Sequence, residues 1–162
     1  MTAKEVIRQV VEFSHLVTRG YLDDLSDKEL IMRSVPGSNH VAWQLGHLIA
    51  GEHQMLSEIG HTPPALPKGF AEAHTKETSS SDDPAKFFKK ADYLALMDKM
   101  KAASLAAIDA TPDAELDKPS PEPMREYAPT IAAVLTLLGT HWLMHAGQFV
   151  PIRRKLGRPA MY

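Results

Sequence analysis

Apolar residues recur every three or four positions in four separate stretches of the chain. This spacing is typical of amphipathic helices. It predicts long helices over residues 3–20, over 40–59, from about 84 or 90 to 109, and from about 130 onward. No stretch has the character of a β-strand. The pattern therefore predicts an all-α protein whose four long helices pack as a four-helix bundle.

The first two predicted helices differ in how their apolar residues are distributed. The stripe of the first helix that we expect to face the core consists of Val6, Val10, Phe13 and Val17. The second helix, for which Asn39 or Ser38 is the expected N-cap, has apolar or small residues around much of its circumference. This distribution predicts that the second helix packs on more than one side, with a partner subunit as one candidate neighbour.

The segments between the later helices are irregular. Residues 60–83 lose the helical periodicity, and five prolines lie between residues 112 and 129. A connection as long as the first of these, within a compact domain, is usually functional or mobile. We therefore expect a single domain over residues 1–162, with long irregular connections between helices 2 and 3 and between helices 3 and 4.

Composition and charge narrow the classes of function. The formal net charge is −2 and the sequence pI is about 6.4, so nothing indicates a nucleic-acid or membrane partner. The chain has no cysteine, which excludes a disulfide scaffold, a thiolate zinc site and a cysteine nucleophile. The N-terminal residues are unlike a signal peptide, and no long apolar window predicts a transmembrane helix. We expect a cytoplasmic protein.

Two of the eight histidines stand four residues apart within the fourth predicted helix. Side chains at positions i and i+4 lie on the same helix face, so His141 and His145 can point at one target. Both fall on the stripe that is expected to face the core. Neutral imidazole is a good ligand for transition metals. The pair therefore predicts part of a metal site, which needs at least one further protein ligand.

The third ligand is not fixed by spacing. On the second helix His40 and His47 share one face, and Gly46 next to His47 allows close backbone approach. Three other histidines are weaker candidates. His61 and His74 lie in the irregular segment, where they should be solvated, and His15 lies off the apolar stripe of the first helix. His47 and His40 therefore stay open as alternatives, with His47 ahead.

Two segments carry a resemblance to a known family. Residues 36–48, which read Pro-Gly-Ser-Asn-His-Val-Ala-Trp-Gln-Leu-Gly-His-Leu, resemble the helix-2 signature of the DinB-like superfamily. Residues 141–148, followed by Arg-Arg-Lys-Leu-Gly at 153–157, resemble its C-terminal signature. The order of helices and connections agrees over essentially the whole chain.

The resemblance implies a four-helix bundle that binds a divalent metal, most often zinc or nickel. Its ligands in this sequence would be His47, His141 and His145. Members often form dimers, so a homodimer is expected. Relatives include transferases and isomerases that use a low-molecular-weight thiol such as bacillithiol or mycothiol, and the substrate is expected to be a small molecule.

Three further side chains are candidates for supporting the ligands by hydrogen bonds, a role that metal-bound histidines usually require. They are Gln148, Gln44 and His40. Gln148 lies one turn beyond His145, where it could hold a metal-bound water or, alternatively, be a buried amide that satisfies the backbone near Pro151.

A site of three neutral histidines leaves the charge of a bound dication uncompensated, so a coordinated water or thiol becomes acidic. The sequence therefore predicts a metal-dependent enzyme, either a hydrolase or a thiol S-transferase. A thiol would have to come from a small-molecule cosubstrate because the chain has no cysteine. Glu52 and Glu58 are possible proton shuttles, although neither has the HExxH spacing. The alternative is a non-catalytic, stress-related metal-binding bundle.

Overall fold

The computed structural model, which describes residues 1–161, is built of α-helices. Within this range there is no β-strand, and an isolated bridge pairs Pro119 with Thr130. The all-α prediction is therefore confirmed. The five α-helices, numbered in chain order, are α1 Ala3–Leu22, α2 Asp27–Leu30, α3 Val41–Glu58, α4 Lys90–Ala110 and α5 Ile131–Lys155.

The four long helices α1, α3, α4 and α5 form the bundle, and α2 is a single turn. The undecided residues 84–89 do not belong to α4; three of them, Pro84–Lys86, form a separate 3-10 turn. Other short 3-10 turns lie within the connections: Glu72–His74, Lys76–Thr78, Asp113–Glu115 and Glu122–Met124. Both connections are irregular, as predicted. No helix among residues 1–161 combines the length and apolarity that crossing a membrane requires.

The N-cap of α3 differs from the prediction. His40, rather than Asn39 or Ser38, precedes the first helical residue, and its Nδ1 accepts the Trp43 backbone N–H at 3.0 Å. An unprotonated imidazole nitrogen can replace the usual hydroxyl or carboxylate oxygen because it is also a hydrogen-bond acceptor.

The core-facing stripe of α1 was predicted wrongly at three of its four positions. Val6 and Phe13 are 45% and 56% exposed, Val10 is half-buried, and only Val17 is buried. The cause lies in α5, where a Cβ added to Gly139 would be 3.0 Å from the Val11 backbone. This close contact of two backbones turns a neighbouring stripe of α1 inward. Its members are Ile7, Val11, Ser14, His15, Val17, Thr18, Tyr21 and Leu22.

The connection from residue 60 to 89 packs against the bundle. His74, expected to be solvated, is only 4% exposed. Its Nδ1–H donates to the Phe70 carbonyl and its Nε2 accepts the Tyr93 hydroxyl, both at 2.7 Å. Burial lowers the pKa of His74 to about 4, so the ring is neutral at pH 7. His74 is therefore a core residue, and the prediction was wrong because periodicity cannot report burial under an irregular segment.

Gly46 of α3 lies directly beneath the His74 ring. A Cβ at this position would be 2.0 Å from Cδ2 of His74, so the His74 ring would have to move to make room for it. The absence of a side chain at Gly46 therefore allows the connection to pack on α3, one residue before His47.

Candidate metal centre

The structure brings three histidines together between two helices. His47 projects from α3, and His141 and His145 project from successive turns of α5. Their ring centroids are 4.9 to 5.3 Å apart, and one nitrogen from each lies within 4.8 Å of the others. A zinc–nitrogen bond is about 2.0–2.1 Å long, so small side-chain rotations would bring all three nitrogens to one ion. This group is a possible metal site.

Gln44 of α3 holds the ring of His145. The Gln44 Nε2–H donates to the Asn39 carbonyl at 2.8 Å, which directs the Gln44 Oε1 toward His145. This oxygen can only accept, so the His145 Nδ1, 2.9 Å away, must carry the proton. The Nε2 of His145 is therefore left with a free lone pair. Gln44 is 1% exposed, so water does not compete for its carboxamide.

Trp43 sits against the ring of His47. The two rings are stacked, with centroids 5.1 Å apart and planes at 6°. The Trp43 indole N–H donates to the Thr75 carbonyl at 2.9 Å, so the connection holds the indole in place. Trp43 thereby restricts the orientation of His47.

His141 lies over Gly51 of α3, where a Cβ would meet its Cε1 at 3.8 Å. Trp142, the next residue of α5, donates its indole N–H to the Glu52 carboxylate at 2.9 Å. The Ser104 hydroxyl donates to the same carboxylate. Glu52, which the sequence suggested as a possible proton shuttle, is fully buried. Its carboxylate lies in the core, where it holds α3 against α5.

The electrostatics of the three histidines keep them neutral. Burial lowers the pKa of His47, and it lowers the pKa of His141 and of His145 to about 4. A smaller contribution comes from repulsion between the rings, since each protonated ring would disfavour its neighbours. At pH 7 all three rings are therefore in the form that binds metals.

A cleft of about 360 Å³ opens beside His47 and His141. This volume lies at the small end of the range for ligand pockets. Apolar side chains form most of its wall: Met55, Met124, Tyr127, Leu137 and Met144. Its other polar side chains are Gln54 and Glu58, both on α3. Helical spacing from His47 could have predicted these two residues, which follow it by seven and eleven positions.

The structure places the two other supporting candidates elsewhere. His40 uses Nδ1 to cap α3, and its Nε2 contacts the Ser81 carbonyl at 3.1 Å, so neither nitrogen is free for the three-histidine group. Gln148 is exposed, which rules out the interpretation as a buried amide. No hydrogen bond within residues 1–161 joins Gln148 to His145. Of the three candidates, Gln44 is the one that the structure shows hydrogen-bonded to a histidine of the group.

A helical bundle with three convergent histidines beside an apolar cleft defines a class of candidate metalloproteins. The sequence model of the DinB superfamily matches residues 12–149, and the chain belongs to that superfamily. This finding confirms the resemblance carried by the two histidine segments.

Two solved structures share the fold. A conserved protein from Enterococcus faecalis is 16% identical with a TM-score of 0.73, and the match covers 98% of this chain and 99% of that one. YfiT from Bacillus subtilis is 19% identical with a TM-score of 0.67, over 96% of this chain and 89% of that one. YfiT is described as a probable metal-dependent hydrolase with an unusual four-helix bundle topology. No curated protein sequence matches significantly.

Proposed function

We propose that this protein is a metal-dependent enzyme that holds one divalent ion with His47, His141 and His145. The observation that carries the proposal is the convergence of the three imidazoles beside a cleft of substrate size. The description of YfiT as a probable metal-dependent hydrolase supports it.

The donor set fits such an ion. All three rings are neutral at pH 7, and Gln44 directs the Nε2 lone pair of His145 away from its own carboxamide. Imidazole ligands suit zinc and nickel, which we propose as the metals. Three protein ligands leave a coordination position for a small molecule, the arrangement that distinguishes catalytic from structural zinc sites.

A dication at this centre would supply charge that acidifies a coordinated water or thiol. The chain's own residues position and shield the reacting groups. Gln44 and Trp43 fix two of the rings, and the apolar wall of the cleft lowers the local polarity around the substrate. These roles are common to hydrolysis and to thiol transfer.

One observation favours a thiol S-transferase as a second candidate. Among the described residues, Glu58 supplies the carboxylate in the cleft, and it lies about 16 Å from His47 along α3. Glu52 is in the core. Among residues 1–161, the cleft lining therefore has no carboxylate beside the histidines to relay protons for water attack, whereas a thiol that loses its proton to solvent on coordination needs no such base.

Metal analysis of the purified protein tests the proposal. We expect about one bound equivalent per chain, by analogy with mononuclear centres. We expect His141→Ala to weaken binding roughly 100-fold or more, because a lost ligand costs at least as much as a lost supporting hydrogen bond. His53→Ala is the matched control, since His53 is another α3 histidine and lies outside the group. Equal metal content in all three proteins would contradict the proposal.

An activity screen separates the two reactions. The metal-loaded protein is offered esters and amides, and separately bacillithiol, mycothiol or glutathione with an electrophile. Turnover that disappears in His141→Ala but not in His53→Ala identifies the reaction. A protein that binds metal yet turns over none of these would be the non-catalytic bundle.

A further inference from the structure

The cleft runs along α3. His47, Gly51, Met55 and Glu58 follow one another along a single face of α3, and all four line the cleft. Eleven residues separate the first from the last, which at 1.5 Å per residue is about 16 Å along the helix axis. A ligand that fills the cleft therefore has one end at the histidines and the other near Glu58.

The wall between these ends is apolar and adaptable. Three methionines line it, Met55, Met124 and Met144, with Leu137 beside them. Unbranched thioether side chains adjust to varied apolar shapes. The middle of the ligand is therefore expected to be apolar, without a demand for one fixed outline.

The far end carries an incompletely paired carboxylate. The Gln54 Nε2–H donates to one oxygen of Glu58, Oε1, at 2.7 Å. The other oxygen, Oε2, is shielded from solvent and has no hydrogen-bond donor within residues 1–161. No lysine or arginine is among the residues that line the cleft. Leaving a buried acceptor without a donor is unfavourable. Glu58 lines the cleft, so rotation of its carboxylate would let a donor bound in the cleft pair with this oxygen.

We propose that the substrate of this centre is a small molecule with an apolar body and an ammonium group, and that Glu58 binds the ammonium. The inference rests on the proposed function, because the opposite end of the molecule would reach the metal. A cation both satisfies Oε2 and neutralises the carboxylate, which a neutral donor does not. The terminal torsion of a glutamate is soft, so either oxygen can turn toward the ligand.

Cobalt(II)-loaded protein tests this without an enzymatic assay. A thiolate that coordinates cobalt produces a charge-transfer absorption, and its titration gives a Kd. The probes are ω-aminoalkanethiols of increasing chain length, with methyl-terminated and carboxylate-terminated thiols of the same lengths as comparisons. We expect the amine-terminated thiol of the best length to bind roughly tenfold or more tightly than either comparison.

The variants locate the preference. Glu58→Gln should abolish the advantage of the amine while thiol coordination persists, and Glu58→Asp should retain part of it at a different chain length. Glu12→Gln removes a carboxylate of α1 outside the cleft and should change nothing.

The two failures are distinguishable. Equal affinities for the three thiols in the wild-type protein, or an amine preference that survives in Glu58→Gln, overturns the assignment of Glu58 and leaves the metal centre standing. Failure to take up cobalt, or uptake without any thiolate absorption at any chain length, overturns the thiol-binding metal centre on which the assignment rests.

Discussion

At the scale of single residues, the carboxamide of Gln44 decides which nitrogen of His145 carries the proton. Its donor side is occupied by the Asn39 carbonyl, so its acceptor side must face the imidazole. Hydrogen bonds of this kind fix the tautomer and orientation of metal-binding histidines. The Nε2 lone pair is thus prepared before any ion arrives.

Replacing this carboxamide gives a direct prediction. We expect Gln44→Leu to weaken metal binding by roughly 10- to 100-fold, because the His145 ring loses its acceptor and can adopt the other tautomer. The Kd is measured by competition with a coloured chelator. Gln54→Leu is the control, since Gln54 lies on the same helix and does not contact His145. Wild-type affinity in a folded Gln44→Leu protein would show that the contact has no role in binding.

The sequence predicts some residue roles better than others. The histidines His47, His141 and His145 could be selected from helical spacing and motif resemblance, and the structure brings them together; that they bind a metal stays a prediction. Gln44 could be predicted as a supporting residue, but its hydrogen bond to His145 and the stacking of Trp43 on His47 could not be derived. Both depend on the carbonyls of Asn39 and Thr75, which lie in irregular segments. Periodicity carries no information about where such segments place their backbone.

At the scale of elements, the connection from residue 60 to 89 holds α3 through two contacts near the centre. One is the hydrogen bond from Trp43 to Thr75, and the other is the His74 ring packed over Gly46. These contacts account for Trp43 and Gly46, two of the residues that make α3 apolar or small around much of its circumference. A partner subunit on the rest of α3 stays a prediction.

A pair of glycine substitutions tests this packing. Gly46→Ala should lower the free energy of unfolding by about 1–3 kcal/mol or more, because the new methyl group overlaps His74. Gly51→Ala meets only ordinary contacts and should raise stability by roughly 0.5–1 kcal/mol, the usual gain for a helix interior. Both are measured by urea unfolding of the metal-free protein. If Gly46→Ala is as stable as Gly51→Ala, the connection does not pack as described.

The long helices were predictable because their apolar residues recur every three or four positions. The exception is the face of α1. Val6 and Phe13 have the right spacing for a core stripe, but so do Ile7 and Val11, and spacing alone does not choose between two neighbouring stripes. Which stripe faces the core is decided by Gly139 of α5, far along the sequence, because the absence of a side chain there lets the Val11 backbone pack closely.

At the scale of the whole molecule, buried neutral histidines make stability depend on pH. The pKa values of His74, His141 and His145 are lowered to about 4. In the unfolded chain they return to about 6.5. Between these values the unfolded state binds protons that the native state excludes, so the free energy of unfolding falls as the pH falls.

We therefore expect metal-free protein to lose stability from about pH 6.5 down to about pH 4, by at most about 1.4 kcal/mol per pH unit for each histidine. Urea unfolding at several pH values measures this. Hydrogen bonds from Arg153 to Asp24 and from the Ser26 backbone N–H to Glu29 lower the pKa of these two carboxyls. The stability that depends on their ionisation is therefore lost only at still lower pH. A constant stability between pH 7 and 5 would contradict the expectation.

The outward face of α1 has a consequence for assembly. Val6, Phe13 and Leu16 leave an apolar strip exposed on α1, the kind of surface that proteins use to associate. No residue of α1 lines the cleft. The homodimer implied by the family resemblance stays a prediction, but two copies joined along this strip would keep both clefts open. Self-association and substrate access could then change independently, since they would occupy different sides of the same bundle.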